Sequence, residues 1–133
     1  MKDQLIMLSV FIILLFLDCI TRWMAISYGR LQALGHKEIG IWQAVCGIPD
    51  ARRAGLIRSA VMKERGVEKL ILYHLAVIAA AASDFLLKMS GGESYLSQAV
   101  IGYLGMTEFV SIIENLSDAG VRSMGEWLKG LRK

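Results

Sequence analysis

Three times in this chain fourteen uncharged residues follow one another and end at an acid: Gln4 to Leu17 before Asp18, Leu70 to Ser83 before Asp84, and Ser94 to Thr107 before Glu108, counting His as neutral. A helix that crosses about 30 Å of hydrocarbon needs about 20 mostly apolar residues, so each run must continue past its acid. Each does. The first carries on through Cys19, Ile20, Trp23, Met24, Ala25, Ile26 and Tyr28, the second through Phe85, Leu86 and Leu87, the third through Phe109, Val110, Ile112 and Ile113. The pattern predicts an all-α membrane protein, a single domain over 1–133, with three transmembrane helices at about 5–28, 68–88 and 94–115. Buried helices of a soluble bundle are the alternative. They would need strong polar faces on all three segments, and 55% hydrophobic residues exceeds the usual share for a soluble domain. The third segment carries Gly102, Gly105, Ser111, Glu108 and Glu114, and a central acid costs about 2.5–3.5 kcal/mol on insertion scales. Its alternative is to lie in the interface.

Lys2 before the apolar core Leu5 to Leu17 has the outline of a signal peptide. Asp18, Cys19 and Ile20 stand where a small-residue cleavage site is needed, so a retained anchor is expected. Orientation follows from the cations, which are kept on the cytoplasmic side. Residues 29–66 hold Arg30, Lys37, Arg52, Arg53, Arg58, Lys63 and Arg65, and the tail 116–133 adds Arg122, Lys129, Arg132 and Lys133, whereas the other face has only Lys2 and Lys88. Three crossings put loop and tail together, predicting the N-terminus outside and the C-terminus in the cytoplasm. The net charge of +3 then reads as topology and affinity for anionic headgroups, with no nucleic acid required.

In the tail, Met124, Trp127, Leu128 and Leu131 fall at i, i+3, i+4 and i+7 among basic residues, predicting an amphipathic helix with Trp127 as an interface anchor. A simple solubilising tail is the alternative. The loop of 29–66 is long enough to expect structure in it. Asp50 after Pro49 predicts the N-cap of a helix from Ala51 to about Arg65, and Ile39, Ile41, Trp42, Val45 and Ile48 suit a dip into the interface.

Chemical motifs are few. Cys19 and Cys46 have neither zinc spacing nor a disulfide framework, His36 and His74 lack partners at ligand spacing, and no nucleophile elbow or phosphate loop occurs. The sequence therefore implies neither an enzyme, nor a metal site, nor a cofactor. What remains are charges at membrane depth, which are costly and face a bundle interior, a partner or water. Asp18 and Arg22 are spaced i, i+4 to pair, as are Asp84 and Lys88. Glu108 and Glu114 have no base within four residues, so neutralisation, water or another subunit's cation is expected for them. His74 is expected to face the bundle. Ala76, Ala79, Ala80 and Ser83 on the second helix, and Gly102 and Gly105 on the third, allow close helix approach. Together these features describe a self-associating membrane protein whose polar groups serve as pore or oligomer contacts.

FLDCITRWMAISYGRL (16–31), RSAVMKERGVEKLILYHLAVIAAAASDFL (58–86) and YLGMTEFVSIIENLSDAGV (103–121) resemble, in order, the blocks of the toxin-secretion and phage-lysis holin family. The positions that match are Asp18, Lys69, Asp84, Glu108, Ser111, Glu114 and Asn115. Arg22 stands where that family tends to have Gly, and Cys19 where it tends to have an aromatic residue. The resemblance implies a phage or prophage protein of the bacterial inner membrane whose partners are itself and the lipid bilayer, and which opens lesions that release an endolysin, or a toxin, only indirectly. Two other functions are compatible with the residues alone: a small ion channel or transporter relaying through Glu108, Asp84 and His74, and a membrane adaptor whose basic loop docks a partner.

Overall fold

A computed structural model describes residues 2–121 and Gly130. They form helices α1 (Lys2–Ala33), α2 (Ile41–Cys46), α3 (Ile48–Arg53), α4 (Ser59–Met89) and α5 (Leu96–Asp118). Three helices are long and apolar enough to cross a membrane, over Leu5–Ala33, Gly66–Met89 and Leu96–Asp118. All three differ from the predicted segments at their ends, because apolar runs show where a helix meets lipid while glycines decide where it stops. α1, α3, α4 and α5 end at Gly35, Gly55, Gly91 and Gly120, with φ of 88°, 73°, 82° and 87°. At the first of these, Gly35 N–H donates to Gln32 O and His36 N–H donates to Leu31 O, so a left-handed residue closes the last turn. A side chain there would be strained.

α5 lies in the middle. It packs along α1 over most of its length and less extensively against α4, while α1 and α4 meet only through side chains. Leu14 touches Gly105, Asn115 reaches Asp18, and Tyr28 lies against Gly120, so α1 and α5 run parallel. α4 is antiparallel to both, with Lys69 at the level of Asp18 and Glu108 and Asp84 at the start of α5. Phe11, Ile101 and Leu104 form the buried core of the bundle, flanked by Met7, Leu15, Tyr73, Val77 and Val100. Inward positions recur at steps of four and three: Phe11, Leu14, Asp18 and Thr21 on α1, and Ser97, Ile101, Leu104, Glu108, Ser111 and Asn115 on α5. This is the seam spacing of helices packed knobs into holes. The segment that looks least apolar in sequence is thus the one with neighbours on two sides.

Between α1 and α4 the chain departs from expectation. The helix expected from Ala51 to about Arg65 is two helices: α3 stops at Gly55, and residues from Ser59 on belong to α4. Asp50 is not the cap but sits in the first turn of α3, where Pro49 occupies an opening position that has no N–H to offer. The stretch Ile39 to Ile48 contains α2, whose backbone N–H at Gly40 is met by the Gln43 side chain. α2 and α3 dock on the end of α1 through small residues: Ala44 and Ala51 are wholly buried, and a Cβ at Gly47 would lie 2.5 Å from Ser27 Oγ. The tail helix with Met124, Trp127, Leu128 and Leu131 lies outside the described residues.

Candidate functional site

At the level where three helices meet, one lysine holds two acids. Lys69 Nζ on α4 donates to Asp18 Oδ2 on α1 at 3.2 Å and to Glu108 Oε2 on α5 at 2.8 Å, and it lies 2.7 Å from Glu108 Oε1. Glu108, which lacks a base on its own helix, is wholly buried and finds one on another helix of the same chain. Tyr73, one turn after Lys69, donates its hydroxyl to Glu108 Oε1 at 2.7 Å, and its ring lies 5.7 Å from that of Phe11. On Asp18 Oδ1 converge Ser111 Oγ at 2.5 Å and Asn115 Nδ2 at 2.9 Å, and the same amide donates to Thr21 Oγ1 at 3.2 Å. Arg22 does pair with Asp18, but more loosely, at 3.7 Å and with its side chain 44% exposed. Two acids and two bases leave the cluster formally neutral. Each carboxylate has several donors, as burial away from water requires.

Asp84 has a different role from the one its spacing suggests. It does not pair with Lys88 but accepts from the first turn of α5: Leu96 N at 2.9 Å, Ser97 N at 2.9 Å, Ser97 Oγ at 2.5 Å, and the Ser94 hydroxyl. No side chain at the helix start caps α5. A carboxylate from the preceding helix supplies the cap and faces the positive end of the α5 dipole. Eleven residues separate Ser97 from Glu108, about 16 Å along the axis, and Ile101 and Leu104 fill that interval with Phe11.

The other candidates fall outside these two sites. Glu114 is exposed on α5. His74 is exposed too and does not point into the core; it lines an open groove of about 580 Å³ between α1 and α4, with Phe11, Leu15, Cys19, Arg22 and Lys69 among its walls, and its ring nitrogen Nδ1 donates to Leu70 O at 2.7 Å. Ser9, Ser83 and Thr107 likewise donate to the carbonyl four residues back. In lipid, where no water offers itself, such back-bonding satisfies a hydroxyl locally. Of the small residues, Ala80 is buried and Gly105 touches Leu14, whereas Ala79 and Gly102 are exposed and Ala76 and Ser83 half-buried. Gly102 and Gly105 line an apolar groove of about 360 Å³ along α1 and α5.

Five of the seven motif positions, Asp18, Lys69, Glu108, Ser111 and Asn115, therefore meet in one cluster, while Asp84 caps α5 and Glu114 faces outward. Tyr73 and Thr21 belong to the cluster and were not singled out by sequence; their signal is spacing, one turn from Lys69 and three residues from Asp18. An ammonium clamped by two carboxylates presents neither a nucleophile nor a free base, so what this arrangement can do is fix helices to each other and release them. No curated protein and no solved structure matches the chain. A family model described as the bacteriophage holin family matches residues 4–133.

Proposed function

The chain belongs to the bacteriophage holin family, and on that premise we propose that it gathers in the bacterial inner membrane, N-terminus outside and C-terminus cytoplasmic, oligomerises there, and opens lesions that release an endolysin, or a toxin, for host cell lysis. The observation that carries this reading is the closed cluster of Asp18, Lys69, Glu108, Tyr73, Ser111 and Asn115 within three apolar helices. In a single chain these groups satisfy one another, and the apolar core of Phe11, Ile101 and Leu104 seals the bundle beside them. The monomer is therefore suited to wait in lipid. When copies crowd together, the helices exchange partners and the same groups turn toward a shared lumen, where water replaces the contacts they give up. Their solvation there offsets the cost of carrying charge in lipid.

Expression of the protein alone in bacteria tests this. The expected result is an abrupt loss of membrane potential together with escape of a co-expressed cytoplasmic enzyme, and earlier onset in Asp18→Asn and Glu108→Gln, which weaken the hold on Lys69. Unchanged potential in cells whose membranes contain the protein would sink the proposal. Loss of potential without enzyme release would favour an ion channel.

A further inference from the structure

α1 is longer than a membrane requires. Its 32 residues span about 48 Å against about 30 Å of hydrocarbon, so roughly a dozen of them stand outside it. Counted from Leu5, where the apolar span begins, Ser27 lies 22 residues on, about 33 Å along the axis. That is where α2 and α3 are docked, under Gly47, whose absent side chain leaves no gap over Ser27 and Leu31. The arm formed by residues 34–58 is thus fixed at the level where hydrocarbon gives way to headgroups.

Its outer surface is not one that water covers well. Trp42 is 76% exposed, and Leu34, Ile41 and Leu56 are each more than half exposed. The same arm, residues 34–58, carries four exposed cations, Lys37, Arg52, Arg53 and Arg58, against two acids, Glu38 and Asp50. Only Arg53 is paired with one of those acids among the described residues, to Asp50 at 3.5 Å. Exposed tryptophan and unneutralised cations at one level are the composition of a headgroup anchor. We propose that residues 34–58 form a foot that rests on anionic phospholipid headgroups, with Trp42 and Ile41 below the phosphates and the arginines among them. A second copy applied to this face would bring the same excess of positive charge against it. The foot rests only on α1 crossing the bilayer, which is the part of the functional reading that it shares.

The test uses the full chain with Trp23→Phe and Trp127→Phe, so that Trp42 is the single fluorophore. It is reconstituted into vesicles of phosphatidylcholine, with or without phosphatidylglycerol, and insertion is scored separately by flotation and resistance to alkaline carbonate. The expected result is blue-shifted Trp42 emission, quenched more by lipids brominated near the headgroup than by lipids brominated near the chain end, with a further shift on adding phosphatidylglycerol. Replacing Arg52, Arg53 and Arg58 by Gln should abolish that further shift and leave insertion intact. Trp42 that stays open to aqueous iodide in both vesicles overturns the proposal while α1 remains inserted. So does a shift that follows the protein-to-lipid ratio instead of phosphatidylglycerol, which would make the face a contact between copies. A chain that fails to insert overturns the spanning reading and the foot together.

Discussion

Lys69→Met removes the cation that Asp18 on α1 and Glu108 on α5 share and leaves the methylene stem in place. At an effective dielectric of about 20, a charge pair at the observed 2.7 Å is worth about 6 kcal/mol and one at 3.2 Å about 5 kcal/mol. Desolvation of the ammonium and repulsion between the two carboxylates take back much of this sum. Removing one partner of a buried pair nevertheless costs about 3–5 kcal/mol, because the survivors stay buried and uncompensated. Here two survive, one of them wholly inaccessible. The expected loss of stability is therefore about 3–5 kcal/mol, a shift of about two to nearly four powers of ten in the folding equilibrium. Glu108→Gln keeps an acceptor for Tyr73 and removes one of the stranded charges, so combining it with Lys69→Met should recover part of the loss, with a coupling energy of about 2–3 kcal/mol. The assay is SDS titration of the micelle-bound protein followed by tryptophan fluorescence, on both single variants and the double variant. A Lys69→Met cost within about 0.5 kcal/mol, the range of ordinary surface changes, or strict additivity of the two substitutions, would refute the interlock.

The same titration reads substitutions at three further contacts. Asp84→Ala orphans the first turn of α5 and should cost about 2 kcal/mol, the upper range for a lost cap, while Asp84→Asn retains an acceptor and should cost about half as much; equal costs would show that charge alone matters. Gly47→Ala drives a Cβ to 2.5 Å from Ser27 Oγ, an overpacking worth about 1–3 kcal/mol. Because that hydroxyl is buried without a hydrogen-bond partner among the described residues, Ser27→Ala should be nearly neutral alone and should restore most of the stability lost at Gly47; failure to rescue would mean that α2 and α3 do not sit on α1 as described. Gly120→Ala meets both a left-handed backbone and the Tyr28 ring at 2.6 Å. Tyr28→Ala should relieve the clash but not the strain of about 1–2 kcal/mol.

The three spans were legible because lipid imposes a length and a polarity that no other environment asks of a chain, and the runs ending at Asp18, Asp84 and Glu108 answer both. What each acid does was harder to read. Asp84 and Lys88 look like a pair on one helix, but a carboxylate at the end of a hairpin gains more from two backbone N–H groups and two hydroxyls than from one flexible lysine, and the turn through Gly91 carries that helix start to it. Glu108 looked stranded because its cation is 39 positions away, a separation at which local spacing says nothing. The seam spacing of α5 does carry that information. Glu108, Ser111 and Asn115 continue the steps of Ile101 and Leu104, so a polar layer set into an apolar seam was readable once the helix was treated as central. Gly35, Gly55 and Gly91 mark three helix ends that hydropathy smears out, and Gly55 alone separates the expected loop helix into parts of two.

Why a polar layer should sit in that seam at all follows from the solvent. In water an apolar seam holds helices together, but lipid tails are as apolar as leucine and give helices no comparable reason to prefer each other. A bundle of Phe11, Ile101 and Leu104 by itself would be free to slide, rotate or exchange partners. Lys69, Asp18 and Glu108 change that, because an uncompensated charge in hydrocarbon costs several kcal/mol, and the three groups meet in only one register of α1, α4 and α5. The same reasoning sets what it takes to open the bundle. A neighbouring helix with only apolar side chains cannot displace Lys69 from its acids, whereas a neighbour that brings water, or an equivalent set of donors at the same depth, can. The layer therefore makes the single chain specific in lipid, and the oligomerisation proposed above needs company that brings water or an equivalent set of donors to that depth.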